Sequence, residues 1–252
     1  MFKRTRLLIV TPLILMIFGL SSAQNSQKRW VNDPRVLAIK ERLVIVVSEF
    51  GKKRWQTSGV IIETGLVLTN YHLVEKERKT GSVDATHRVD CMEDVQFTEK
   101  YIDEMIEGSD LGELEPNYQV KVSGQLAKIK FWDREMDLLL LSVSTKDTSP
   151  IKIRSFVEVE EPVVSVAGPF DKPYPHTSSG AIIAQGKHGF ISNLYAKPGV
   201  SGSGVYAISD GAFLGLATRY SGRRDDKKCR CSFSRNGADI LDFLKRADVK
   251  LD

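Results

Sequence analysis

The chain has 252 residues, 42% hydrophobic and 27% charged, a globular balance that excludes an extended disordered polypeptide and suits one ordinary domain or two small fused ones. The formal charge of +4 is unevenly spread, because Lys3, Arg4 and Arg6 lie in the first 23 residues, which carry no acid. Without them 33 Lys+Arg face 32 Asp+Glu, and a net charge of +1 makes no case for a nucleic-acid partner.

The chain opens with "MFKRTR", then the uncharged run "LLIVTPLILMIFGL" (7–20), then small residues at Ser21 and Ala23. A basic start, an apolar run and a small-residue junction describe a secretory signal peptide cut after Ala23. A spanning helix needs about 20 apolar residues, and Pro12 interrupts this run, so membrane contact is expected only through this segment if it stays uncleaved. Residues 1–23 read as a leader and 24–252 as an exported domain, secreted or periplasmic.

From about Val36 short apolar runs alternate with turn residues. Strands are predicted in "RLVIVVSEF" (42–50), "SGVIIETGLVLTNYHLV" (58–74), "YQVKVSGQLAKIKFW" (118–132) and "DLLLLSV" (137–143), all rich in Val, Ile or Leu. After a polar break at 144–150 come "EPVVSVAG" (161–168), "SGAIIAQG" (179–186), "HGFISNLYA" (188–196), "SGVYAIS" (203–209) and "GAFLGLATRY" (211–220). Many short strands with Gly, Pro and Asn turns indicate an antiparallel sandwich or barrel, and the break divides two strand sets.

Two segments have helical periodicity. "TEKYIDEMIEG" (98–108) puts Tyr101, Ile102, Met105 and Ile106 on one face, with Thr98 as N-cap and Gly108 beyond the end. It lies in an acidic, strand-poor stretch (76–117) that reads as an insertion between strands. "GADILDFLKRADV" (237–249) is an amphipathic C-terminal helix with Ile240, Leu241 and Leu244 inward.

The three cysteines are Cys91, Cys229 and Cys231. An oxidising compartment permits a bridge, the simplest pairing being Cys91 with either member of "CRC", and one thiol is left over. A zinc site needs four well-spaced ligands, and the four histidines are scattered, so neither metal nor cofactor is expected.

The stretch "KPGVSGSGVY" (197–206) packs three glycines and two serines into ten residues. A serine hydroxyl becomes a nucleophile only with an imidazole to take its proton, a carboxylate to fix the imidazole tautomer, and N–H donors for the oxyanion. Gly-x-Ser-Gly frames Ser201 rather than Ser203, and a turn at Gly199 lets the N–H groups of Gly199 and Ser201 converge. His72, at the end of a β-branched strand, is the candidate base; His87, His176 and His188 read as surface residues. Asp137 stands directly before "LLLL", where a charge is expensive unless paired. Its neighbour Asp133 reads as a solvated turn residue.

These motifs, "SGVIIETGLVLTNYHLV", "DREMDLLLL" and "GVSGSGVY…FLGLAT", together resemble the chymotrypsin-fold, trypsin-like serine peptidases, particularly the secreted bacterial HtrA-type and glutamyl-endopeptidase branches. The resemblance covers roughly residues 36–220 and follows that family's order of His, Asp and Ser. It implies an all-β fold of two six-stranded antiparallel barrels, the first about 36–145 and the second about 151–222, with the helical insertion in the first. It implies a polypeptide substrate and a catalytic set of His72, Asp137 and Ser201, with Gly199 and Ser201 forming the oxyanion hole. The thirty or so residues after Tyr220 are too few for the peptide-binding module of HtrA-type enzymes.

Departures bear on specificity. Tyr195 stands where the trypsin branch has a selecting acid, and "GLAT" lacks the glutamyl branch's histidine. The loop "RYSGRRDDKKCR" reads as solvated and partly self-neutralised by Asp225 and Asp226. The expectation is an exported serine endopeptidase; a non-catalytic binding or adhesion module and an esterase using the same three residues are the alternatives.

Overall fold

A computed structural model describes residues 32–75, 98–106, 112–114, 117–169, 174–221 and 231–251. The predicted leader, Cys91, Cys229, His87 and Gly108 lie outside the described residues.

Twelve strands close into two six-stranded antiparallel barrels. The first contains β1 (Leu43–Phe50), β2 (Lys53–Glu63), β3 (Leu66–Thr69), β4 (Gln119–Val122), β5 (Gln125–Asp133) and β6 (Leu138–Ser142), in the order β1-β2-β3-β6-β5-β4. The second contains β7 (Pro162–Ala167), β8 (His176–Gln185), β9 (Gly189–Ser192), β10 (Gly204–Ala207), β11 (Phe213–Ser221) and β12 (Cys231–Asn236). The fold is the double barrel that the resemblance implied, but the second barrel's boundary differs. Its closing strand, β12, lies beyond residue 222 and pairs with β9 and β11. "CSFSRN" escapes prediction because only Cys231 and Phe233 of its six residues are apolar, too few to mark a strand, while its buried polar residues read as loop.

The unbroken "LLLL" of β6 is explained by burial on both faces. Leu139 and Leu141 fill the interior of the first barrel with Val46, Ile61 and Val67. Leu138 and Leu140 face the other way, into an apolar layer shared with Val164 and Val166 of the second barrel and with the C-terminal helix. Each leucine side chain so buried contributes about 1.5–3 kcal/mol, so this layer joins the two barrels through apolar packing.

Among the described residues three α-helices decorate the barrels. Helix α1 (Pro34–Lys40) is not among the predicted elements and overlaps the start of the stretch assigned to the first barrel, just before the first predicted strand at 42–50. Asp33 caps it by accepting from the Arg35 N–H, and Pro34 sits where its missing N–H costs nothing. Helix α2 (Glu99–Ile106) falls in the predicted insertion, with the Thr98 hydroxyl accepting from the Tyr101 N–H at 3.3 Å. It follows the first barrel's β3 in sequence but packs on the second: Ile102, Met105 and Ile106 cover Ile191 and Phe233 of β9 and β12. Helix α3 (Gly237–Arg246) buries Ile240, Phe243 and Leu244. Leu241, expected inward, is instead 38% exposed, and Phe243 takes the buried position.

Candidate active site

The β3 strand ends at Thr69, and a single 3-10 turn, Tyr71–Leu73, carries His72 into the cleft between the barrels. Tyr71 anchors that turn: it is buried, its hydroxyl donates to the Gly112 carbonyl at 3.0 Å, and burial pushes its phenol up from the usual value. Asp137 ends the turn between β5 and β6 with φ at +53°, a left-handed conformation that Asp tolerates better than most residues. That conformation delivers the carboxylate to His72 at two points. The His72 backbone N–H donates to Oδ1 at 2.8 Å, and ring Nδ1 lies 2.8 Å from Oδ2. A carboxylate can only accept in that contact, so Nδ1 carries the proton and Nε2 is left as the free acceptor. Asp137 is 1% exposed, and the Asn70 side-chain amide donates to its backbone carbonyl at 3.2 Å.

Ser201 comes from the other barrel, on the loop between β9 and β10. Gly199 (φ +93°) and Gly202 (φ +78°) provide the backbone conformations that this loop needs. The loop is clamped across the cleft by β2: the Ser58 N–H donates to the Ser201 carbonyl at 2.8 Å, where the Thr57 hydroxyl also donates. The Ser58 hydroxyl donates to the Gly199 carbonyl at 2.7 Å and accepts from the Gly168 N–H at 3.0 Å. The sequence signal for this clamp is "TSG" directly before the apolar "VII" of β2, two small hydroxyl residues that are both buried.

His72, Gly199 and Ser201 line one cleft of about 400 Å³ together with Trp55, Thr57 and Tyr220. Among the described residues the N–H groups of Gly199 and Ser201 have no hydrogen-bond acceptor. The structure thus brings His72 and Asp137 into direct contact and places Ser201 on the same cleft. The Ser201 hydroxyl donates to the Thr218 carbonyl at 3.2 Å rather than to His72.

The rival residues are used elsewhere. Ser203 is fully buried, its hydroxyl 3.3 Å from that of Ser165. Asp133 accepts from the Met136 N–H at 2.9 Å and pairs with Arg246 at 2.8 Å, so it stabilises the turn that bears Asp137. His188, expected at the surface, is partly buried against Asp239 at 3.2 Å. His176 packs edge-on to Tyr195, ring centroids 4.8 Å apart.

A double antiparallel barrel with an imidazole–carboxylate pair on one wall of its cleft and a glycine-framed serine on the other defines the trypsin-like class of hydrolases. Residues 57–216 match the trypsin-like peptidase domain, and the chain belongs to that family. Among solved structures it is similar to the Rv3671c protease from M. tuberculosis in its active form, with 15% identity and a TM-score of 0.59 over 87% of this chain and 86% of that one. It is also similar to the inactive form of that protease, with 15% identity and a TM-score of 0.55 over 87% and 95% of the two chains. No curated protein matches the sequence.

Proposed function

We propose that this peptidase is an exported serine endopeptidase in which Ser201 is the nucleophile, His72 the general base and Asp137 the residue that orients the imidazole. The observation that carries the reading is the two-point contact between His72 and Asp137 on the wall of the cleft that Ser201 also lines. Rotation about the Ser201 Cα–Cβ bond frees the hydroxyl from the Thr218 carbonyl and turns it into the cleft. Oγ attacks the scissile carbonyl carbon as its proton passes to His72 Nε2. The oxyanion takes the unused N–H groups of Gly199 and Ser201. Collapse breaks the C–N bond, His72 returns the proton to the leaving amine, and water repeats the sequence on the acyl-enzyme.

Beside Ser201 a shallow depression, with no room for even a water molecule, is bordered by Ala196, Val200, Ala217 and Ser232, with half-buried Arg219 and exposed Tyr220. Its shallowness, with Ala196, Ala217 and Ser232 at its floor, favours a small residue before the scissile bond. Export is supported by the N-terminal pattern and by Cys231, which is disulfide-bonded, since such bonds persist in oxidising compartments.

The test is covalent labelling with a fluorophosphonate. The wild-type protein and the Ser203→Ala variant are expected to label, and Ser201→Ala to lose all labelling and peptide hydrolysis. Labelling that survives in Ser201→Ala overturns the assignment, and labelling with ester turnover but no peptide turnover favours an esterase.

A further inference from the structure

One buried cation stands outside the chemistry above. Arg235, on β12, is 2% exposed, yet a guanidinium is almost never fully buried unless its donors are satisfied. Its charge is met by Asp239 of α3, 3.0 Å from Nη1. Asp239 in turn lies 3.2 Å from the His188 ring. The remaining donors reach across the barrel boundary. Nε donates to the Met136 carbonyl at 3.1 Å, and Nη2 donates to the carbonyls of Glu135 at 3.2 Å and Ile106 at 2.6 Å.

Glu135 and Met136 are the two residues before Asp137. Their carbonyls are therefore fixed by a planar fork rooted in the second barrel, while Asp137 itself belongs to the first. Asp137 has a left-handed backbone (φ +53°), and such a residue keeps its conformation only where its surroundings over-determine it. The turn's own hydrogen bonds, Asp137 N–H to Arg134 carbonyl at 3.1 Å and Met136 N–H to Asp133 at 2.9 Å, hold one side of it. Arg235 holds the other. A lysine, with one rotatable ammonium, could not place donors on two successive carbonyls and a third from α2 in this fixed geometry.

We propose that Arg235 is a positioning residue for the catalytic pair: by fixing the Glu135 and Met136 carbonyls it sets the Asp137 conformation that orients His72. The same fork also ties the last turn of α2 to the acid-bearing turn, so the insertion helix supports the site without touching it. This inference rests on the proposed roles of His72 and Asp137.

The experiment compares wild type with Arg235→Gln, Arg235→Lys and a control, Arg154→Gln, which breaks the partly buried Arg154–Glu161 pair elsewhere. Each is measured for thermal midpoint, kcat, KM and the strongly deshielded proton NMR signal of His72 Nδ1–H. A displaced catalytic group costs on the order of 10²-fold, so Arg235→Gln is expected to lower kcat about 10- to 100-fold with KM within about twofold, and to shift or broaden the signal. The control is expected to lose midpoint but keep both. Arg235→Lys, which keeps the charge opposite Asp239, is expected to recover the midpoint without recovering kcat, and it carries the test if the glutamine variant does not fold. Wild-type kcat and an unmoved signal in either Arg235 variant overturn the proposal, as does an equal loss in the control. A wild-type protein without peptidase activity would sink the proposed function alone, because the NMR signal still reports whether Arg235 governs the His72–Asp137 contact.

Discussion

The Asp137 carboxylate touches His72 twice, accepting from its backbone N–H at 2.8 Å and lying 2.8 Å from its ring Nδ1. The backbone contact dictates what an amide would do in the same place. In Asp137→Asn the amide oxygen must face the His72 N–H, which can only donate, so the NH₂ faces Nδ1 and forces the proton onto Nε2. The base is then in the wrong tautomer, and kcat is expected to fall about 10⁴-fold with KM little changed. A fall of less than tenfold in steady-state kinetics would remove Asp137 from the mechanism.

Gly202 is irreplaceable for two separate reasons. Its φ is +78°, and a Cβ there would collide with the Ser58 carbonyl oxygen and come 2.6 Å from the Thr69 hydroxyl. Gly202→Ala is expected to cost about 1–3 kcal/mol from overpacking and to abolish turnover by moving Ser201 off its clamp. Gly51→Ala, at φ +57° with nothing within 4 Å of the new carbon, isolates the backbone cost. That variant should lose only about 1–2 kcal/mol and keep wild-type kcat. Urea melts and kcat for both variants decide the matter; equal behaviour would refute the steric account.

The Asp33 carboxyl, bonded to the Arg35 side chain and N–H, is held at about 2 instead of its ordinary 3.8. Arg35 also donates to the carbonyls of Ile208 at 2.6 Å and Ser209 at 2.9 Å, tying α1 to the second barrel. A depressed carboxylate contributes its stability above the unfolded value and loses it as pH falls through the folded one, so this cap weakens between about 3.8 and 2. Both partners are solvent-accessible, and salt should narrow that window. Carbon NMR titration of Asp33 should give a midpoint near 2 at low salt; a midpoint at the ordinary value would dissolve the pair.

The shallowness of the surface beside Ser201 predicts a hydrolysis preference. Peptides with Ala, Ser or Val before the scissile bond should exceed those with Phe or Lys by at least about tenfold in kcat/KM, because surplus side-chain volume has no place to pack. Removing the Tyr220 ring, as Tyr220→Ala, should widen tolerance towards larger residues. Preference for Glu or Asp would show instead that Arg219 governs selection.

Legibility followed burial pattern. Strands β6, β7, β10 and β11 are readable from the chain because their buried faces are apolar, and runs of Val, Leu and Phe stand out in one dimension. Helix α1 was hidden because seven residues hold barely two turns, too few to establish a period. Strand β12 was hidden because Ser232, Ser234 and Arg235 are polar and buried together, a pattern that reads as loop until partners are known.

The amino-acid order by itself determined an all-β chain of two strand sets, the helical periodicity of α2 and α3, and the choice of His72, Asp137 and Ser201 as candidates, because each depends on residue type and local spacing. The double barrel was implied only by the resemblance to the trypsin-like peptidases. Only the tertiary structure decided that α2 leaves the first barrel to pack on the second, that Thr57 and Ser58 clamp the Ser201 loop, and that Arg235 reaches the carbonyls beside Asp137. Those contacts join residues up to 144 positions apart, and their hydrogen bonds form only when barrel closure brings the donors and acceptors together.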